Sequence, residues 1–508
     1  MRKYIKNNIL EIFQTMFEAH RNIKNFIDKR DFMNAQMVLG DCQNTAVQIG
    51  IAIEKSEGEG YVSVVFLEEY CEAVYDIATS ISDEQNGIKA QKYLDKKLIK
   101  AENSVKNDIK VKLEIVFTPY KVSMWDSLES VWKAANDDPN CNAYVIPIPY
   151  FDRNPDGSFG KMHYEGTEFP EYVPITHYEK YNFELMRPDV IYYHNSYDAA
   201  NYVTSVAPQF YSRELKKYTD KLVYIPYFVF PKKPVEHLIN ENAIMNADCI
   251  IVQNQEVKNA YIEKIKSIYG MYSGKPLLYA LGSPKIDKIY NLKMKSQNSS
   301  NKWKRQAQGK KIMFMNTNVS LILNNGSSFI DNMRRIFTIL KEQSDNIFVI
   351  WREHPLSEAT IKSMRNDLDK DYKKIKAEFL ALGIGEFDFA PEAHEAMIAS
   401  DCYFGSGGSL IPVYAISGKP MMVTDYHYPN GISNSDISLE RFLKWSSTHM
   451  YVNETHRNSL ALFLDNITEL SSYAPKRLEF AKQLLNCVDG TVGQQIHEQV
   501  ISQSSSTN

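Results

Sequence analysis

At 508 residues the chain is too long for one compact core, so two or three domains are expected, each able to bury a stable interior. Its 58 Lys and Arg stand against 62 Asp and Glu, a formal net charge of -4, which removes any global electrostatic reason to bind nucleic acid. The six cysteines (Cys42, Cys71, Cys141, Cys249, Cys402, Cys487) form no CxxC pair and no Cys/His cluster at zinc spacing. They read as reduced core thiols, with no metal site and no disulfide framework expected.

The opening Met1-Arg2-Lys3 leads into a polar, charged stretch without a signal-length apolar run, and no segment approaches the ~20 apolar residues needed to cross a bilayer. A cytoplasmic location is expected, with peripheral docking on the inner membrane face left open. Residues 1–108 lack strand-like runs and carry apolar residues at helical spacing, as in Ile9, Ile12, Phe13, Met16 and Phe17, then Val62, Val65, Phe66, Tyr70 and Val74. This predicts a bundle of about four helices, with breakers at Glu57-Gly58-Glu59-Gly60 and Glu84-Gln85-Asn86-Gly87.

From Lys112 the pattern changes to short apolar runs, rich in β-branched and aromatic residues, each followed by a helical stretch. That is the pattern of βα units and a parallel sheet. Strands are predicted at 113–117, 143–148, 190–193, 222–225 and 249–253, with a helix over 123–135. The polar and basic stretch 292–310 reads as an interdomain linker. A second βα series follows, with strands at 311–315, 347–351, 386–389, 402–404 and 420–423. The domain reading is thus a helical domain (1–108), a first Rossmann-like domain (109–291), the linker, a second Rossmann-like domain (311–435), C-terminal helices (436–501) and a disordered polar tail (502–508). Two such domains make a cleft, and open α/β sheets bind ligands beyond the carboxyl ends of their strands.

The strongest constellation is the turn Gly405-Ser406-Gly407-Gly408-Ser409 between a short strand and an apolar helix. Free backbone N–H groups, a helix dipole and the two serine hydroxyls suit it to hold a phosphate. The competing reading is a tight turn that needs glycine only for its dihedrals. Arg352 and His354 end the strand at 347–351, where Pro355 stops its continuation, and both are suitable partners for phosphate oxygens. Thr317, at the end of the strand beginning at Lys311, completes the expected phosphate-binding set. In the first half, His194 follows the strand at 190–193 and is a candidate general base, with Asp198 as its substitute. As the competing readings, Arg352 or His354 would simply pair with a carboxylate such as Glu353 or Glu392, and His194, a lone histidine at a strand end, would be a satisfied structural residue. Gly282-Ser283-Pro284-Lys285-Ile286-Asp287 closes the first half, and by composition alone it is a turn with Pro284 at its second position.

Taken together, these segments resemble the CDP-glycerol glycerophosphotransferase family, the teichoic-acid polymerases and their relatives. The resemblance is distant and covers roughly residues 180–425. It is carried by Gly282, Pro284, Lys285 and Asp287, the His354-Pro355 pair, the Ser400-Asp401 pair, and the spacing from there to Gly418-Lys419-Pro420. It implies an α/β fold of GT-B type, a pair of Rossmann-type parallel-sheet domains here preceded by the helical domain. The chain departs from the family where Ser406-Gly407-Gly408-Ser409 replaces Asp-Tyr-Ser-Ser, where Val413 replaces an acidic residue, and where no His-Gly-Thr-Pro segment is found.

What the resemblance implies is a transferase with a nucleotide-diphosphate-activated donor, most directly CDP-glycerol. It would pass a glycerophosphoryl group to a hydroxyl of a glycan or polyol-phosphate acceptor, lipid-linked or free, in synthesis of a cell-surface polymer such as teichoic acid or capsule. His194 would act as base, His354 would stabilise the leaving phosphate, and neither metal nor other cofactor would be required. Two alternatives stay open: a nucleotide-sugar glycosyltransferase using the same cradle, and a GT-B relative that has become a non-catalytic binding protein.

Overall fold

The computed structural model describes residues 1–81, 86–154, 156–230, 234, 238–295, 302–424, 452–453 and 459–505. The expected breaker at 84–85, the middle of the expected linker (296–301), the expected domain end at 435 and the end of the tail (506–508) lie outside the described residues. The chain forms two compact units. One is Met1–Glu114 with Asp138–Asn142, and the other is Ile115–Asp137 with Ala143–Asn508. Among the described residues no helix is long and apolar enough to cross a membrane.

The first unit is built on four helices, Lys3–Asp28, Phe32–Glu57, Val62–Ser80 and Gly87–Asn107. Ile9, Phe13, Met16, Ile23 and Ile27 recur at helical spacing and meet Leu39, Ile53, Leu67, Tyr70, Leu94 and Leu98 in one core. Asp31 and Asn86 cap two of the helices through their side-chain oxygens. Of the expected apolar faces, Ile12, Val62 and Val65 turn outward. The unit runs past the expected boundary at 108, because Lys112 N bonds Met1 O at 2.8 Å and Arg2 pairs with Glu114 at 2.9 Å.

The second unit holds two sheets of six strands, except that the first two residues of two strands, 113–114 and 141–142, fall in the first unit. In chain order its strands are β1 (Leu113–Thr118), β2 (Cys141–Val145), β3 (Tyr150–Arg153), β4 (Phe159–His163), β5 (Val190–Tyr193), β6 (Thr204–Val206), β7 (Lys221–Tyr224), β8 (Cys249–Val252) and β9 (Leu277–Ala280). They are followed by β10 (Lys311–Thr317), β11 (Ile347–Glu353), β12 (Gly385–Phe387), β13 (Cys402–Ser406), β14 (Met421–Thr424) and β15 (Val452–Asn453). The first sheet has the order β2-β1-β5-β7-β8-β9 and the second the order β12-β11-β10-β13-β14-β15. Pairing is parallel from β1 through β9 in the first sheet and throughout the second.

The second order is that of a Rossmann sheet, in which the third to first strands run one way and the fourth to sixth the other. Its direction of winding reverses between β10 and β13; in the first sheet it reverses between β1 and β5. Helices cover both faces, so the central strand β10 is buried along almost its whole length and reads as a continuous apolar run.

Several local features depart from the sequence reading. A small antiparallel sheet, β4-β3-β6, is added to the first lobe. The expected helix at 123–135 is a 3-10 turn, Val122–Ser127, followed by a helix at Glu129–Asp137. The expected linker is largely helical at its ends: one helix continues to Lys295, and Lys302–Ala307 forms another, held by buried Trp303 and Ala307 four positions apart. The expected tail is helical to Ser505. That last helix, Val492–Ser505, returns from the second lobe to pack on Glu129–Asp137 of the first.

Candidate functional site

The two topological switch points face one cleft within the second unit. Lys121, Ser123, Met124 and Asp126 reach it from the turn after β1. Asn316 and Asn318 come from the end of β10, and Gly408 and Ser409 from the turn after β13. Arg352, Glu353 and His354 at the end of β11, Glu392 and His394 after β12, and Lys285 complete its polar lining. The cavity measures about 150 Å³, room for on the order of ten water molecules. This is where open α/β sheets place their ligands, because side chains and free amides converge there and no crossover helix covers it.

One side of the cleft is cationic. Lys121 is buried and stacks over the Tyr150 ring at 4.2 Å. Among the described residues it has no ion pair. Burial pushes its pKa down, opposed by the more distant charges of Glu165 and Asp152. His354 is fixed through its backbone, which donates to Thr317 O at 3.0 Å. Its Nδ1 accepts from Leu356 N at 3.1 Å. The neutral ring therefore carries its proton on Nε2, a donor for the cleft. Packing within the cleft wall holds its pKa low, to about 4, and Lys121 and Arg352 add to the shift, although the residue still meets solvent in the cleft. Asn318 joins the two switch-point turns: its N–H donates to Ser406 Oγ at 3.0 Å and its Nδ2 to Gly407 O at 3.0 Å.

The cleft wall also holds a buried charge cluster. Lys285 pairs with Asp126, whose other oxygen lies 3.4 Å from His394 Nε2. Lys288 bridges Glu129 at 2.7 Å and Glu392. Burial lowers His394 to about 4, Asp126 works against the shift, and Lys288 and Lys285 reinforce it. Burial also raises Glu392, partly offset by Lys288. Among the described residues the cleft holds no three His, Cys, Asp or Glu ligand atoms close enough together to seat a metal by themselves.

The residues singled out in the sequence divide sharply. His354, Gly408, Ser409, Arg352 and Lys285 line the cleft. Arg352 is committed to the protein: its guanidinium donates to Asp388 at 2.6 Å, Ala390 O at 2.9 Å and Pro391 O at 2.9 Å, fixing the loop that carries Glu392 and His394. Gly405 and Ser406 belong to β13 rather than to an open turn. Gly405 has φ +142°, and a Cβ there would stand 2.1 Å from Asn316 O, so glycine lets β13 approach β10. Ser406 is fully buried, accepting from Asn318 N and donating to Asn316 O at 3.2 Å. Gly407 is exposed beside the cleft and is not among its lining residues. Thr317 is buried, its hydroxyl accepting from Trp351 Nε1 at 3.0 Å.

His194 does not reach the cleft. It is fully buried, Nδ1 lies 2.9 Å from Ser127 Oγ, and Nε2 accepts from Tyr120 N at 3.4 Å. Burial drives its pKa down to about 3. With both ring nitrogens engaged, it has the geometry of a structural histidine. Asp198 is likewise buried and accepts from the N–H and hydroxyl of Ser212. Asp287 accepts from Val492 N at 3.1 Å and Gly493 N at 2.7 Å, capping the returning C-terminal helix. Gly282 (φ +111°) and Pro284 shape the turn that leads into this helix-bearing segment.

Sequence reasoning passed over Lys121, Asp126, Asn318 and His394, and named Glu392 only as a candidate partner of Arg352 or His354. A signal for the first two was present: Lys121 and Asp126 lie just after β1, as switch-point residues must. His394 gave none, being one polar residue at the start of a short helix.

No family model and no curated protein sequence matches the chain. Solved structures do align with most of it. A putative UDP-N-acetylglucosamine 2-epimerase from Listeria monocytogenes matches at 13% identity and a TM-score of 0.47, over 78% of this chain and 98% of its own. An S. aureus MnaA structure with UDP matches at 13% identity and 0.47, over 77% and 97%. The wall teichoic acid polymerase TagF matches at 11% identity and 0.46, over 88% and 99%. At these identities and scores they assign no chemistry to this chain, and the fold class stands on its own sheet topology.

Proposed function

We propose that the protein is a transferase that binds a nucleoside-diphosphate-activated donor in the cleft and passes the activated group to an acceptor hydroxyl. The single observation that carries this reading is Lys121, a buried ammonium without an ion pair among the described residues, lining the cleft beside His354. A buried cation is costly to leave uncompensated, and a diphosphate supplies the missing charge. His354 Nε2–H and the Gly408 and Ser409 segment supply neutral donors around it. His394, Asp126 and Glu392 line the same cavity, so groups able to move a proton stand in the cleft that would bind the donor.

The donor we favour is CDP-glycerol, on the strength of the Gly282 to Asp287 segment and the His354-Pro355 and Ser400-Asp401 pairs. In that reaction an acceptor oxygen attacks the β-phosphorus and CMP leaves, with positioning and electrostatics supplying most of the acceleration. The experiment is to incubate the protein and a polyol-phosphate or glycan acceptor with CDP-glycerol and, separately, with UDP- and GDP-sugars, and to identify the released nucleotide. CMP supports glycerophosphoryl transfer, and a nucleoside diphosphate replaces it with glycosyl transfer. The absence of both nucleotide release and donor binding across the panel refutes the transferase. Lys121→Met should weaken donor binding by roughly 10- to 100-fold, the worth of one charge-assisted contact. An unchanged dissociation constant in calorimetry would remove Lys121 from the donor site.

A further inference from the structure

We infer that His394 is the general base of this cleft, with Asp126 as its positioning residue. The inference rests on the transferase reading and assigns the proton-transfer step within it. His394 is 4% exposed, lines the cavity, and its Nδ1 has no hydrogen-bond partner. Buried polar atoms are nearly always satisfied, so this nitrogen, closed to solvent on a residue that lines the cavity, is left for a ligand hydroxyl to meet once the side chain turns toward it. The other nitrogen, Nε2, lies 3.4 Å from Asp126 Oδ2. That contact is long, as such contacts often are before substrate is bound, and it favours the tautomer with the proton on Nε2 and the lone pair on Nδ1. Of the two ring nitrogens, only Nδ1 can then take the proton of an acceptor hydroxyl.

The groups facing the pair come from several elements. Asp126 lies in the turn after β1 and His394 begins the helix after β12, so the pair bridges the two lobes. Lys285, at the start of the Lys285–Lys295 helix, holds the other oxygen of Asp126. Lys288, Glu129 and Glu392 lie near enough to act on His394 or Asp126 electrostatically. The Lys285 ion pair orients Asp126, and burial keeps the imidazole neutral, the form a base requires. Arg352 contributes indirectly: by holding Asp388, Ala390 and Pro391 it fixes the segment from which His394 projects.

The step balances without a further reactant. The acceptor oxygen forms a bond to the electrophilic centre of the donor as its proton passes to His394 Nδ1. The bond from that centre to the bridging phosphate oxygen breaks, and its electron pair leaves with the nucleotide. The proton on Nδ1 then returns to solvent. Because Lys121 and His354 lie with the phosphate and His394 with the acceptor, charge stabilisation and proton removal are assigned to different residues.

The test is steady-state kinetics of His394→Ala with whichever donor the wild type turns over, alongside calorimetric binding of the same donor. The expected result is a fall in kcat of about 100-fold or more, the usual contribution of a general base. Donor affinity should stay within about threefold, and added imidazole should restore part of the rate in a concentration-dependent way. Rescue is a readout that a structural role would not produce. A kcat near wild type overturns the assignment, as does a fall that imidazole does not relieve while the donor still binds. Should the alanine variant fail to fold, His394→Gln carries the test: the same fall with donor binding intact supports the base, and a wild-type rate refutes it. A wild type that neither binds nor consumes any nucleotide donor refutes the transferase reading itself, whereas an active wild type matched by its His394 variants refutes only the base.

Discussion

Lowering the pH should destabilise the second unit through His194, and the size of the effect follows from its surroundings. Its Nε2 accepts the Tyr120 N–H, while Ser127 Oγ, beside Nδ1, donates onward to Met124 O at 2.7 Å. The neutral ring, with its proton on Nδ1, is fully satisfied. A second proton would point Nε2–H at another N–H in a fully buried site. Burial is the main cause of a folded pKa of about 3, Lys285 adds to it, and Asp126 opposes it. Since the folded pKa lies below the unfolded value of about 6.5, the unfolded chain takes up the proton first. The stabilisation is complete above pH 6.5 and is lost as the pH falls from there toward 3.

At pH 5 the unfolded imidazole is protonated with a gain of about 1.5 pKa units, or about 2 kcal/mol, that the folded state does not share. This figure changes little if the folded pKa is 4 rather than 3, because pH 5 lies above both. The perturbation is His194→Asn, whose amide can still donate to Ser127 and does not titrate. Urea unfolding would be followed at pH 7.5 and pH 5 by the fluorescence of buried Trp125 and Trp132, which lie in the same lobe. The variant should lose about 2 kcal/mol less between the two pH values than the wild type does. His354 and His394 also have depressed values, so the wild-type loss is larger than this share, and the comparison isolates His194. A variant that retains the entire acid loss of the wild type would refute the argument.

Gly405→Ala should cost about 3 kcal/mol or more, since the methyl group meets Asn316 O at 2.1 Å and the backbone sits at φ +142°. A melting temperature equal to that of the wild type would show that β10 and β13 are not so closely apposed. Asp287→Ala removes the acceptor for Val492 N and Gly493 N and should cost about 1–2 kcal/mol. Hydrogen exchange should then quicken along the Val492–Ser505 helix, and unchanged protection there would count against the cap.

The amino-acid sequence by itself determined the local elements. The apolar repeat of Ile9, Phe13 and Met16 made a helix with one buried face, and the runs at 190–193 and 249–252 made strands buried on both sides. Short-range periodicity encodes such elements because each is set by neighbours a few residues away. His354 was legible for the same reason: a polar residue just past a buried strand, followed by proline, has to leave the sheet at its carboxyl end.

Which residues meet in the cleft was decided by the tertiary structure alone. Gly405 and Ser406 looked like an open phosphate turn, yet the approach of β13 to β10 draws them into the sheet and leaves Gly408 and Ser409 at the cavity. His194 looked like a base, yet the turn after β1 folds over it and encloses it. Asp126 and His394 lie far apart in the chain, and only the packing of two lobes in one unit brings their side chains to 3.4 Å. No periodicity records such a meeting. It depends on strand order, which places the ends of β1, β10 and β13 around one space.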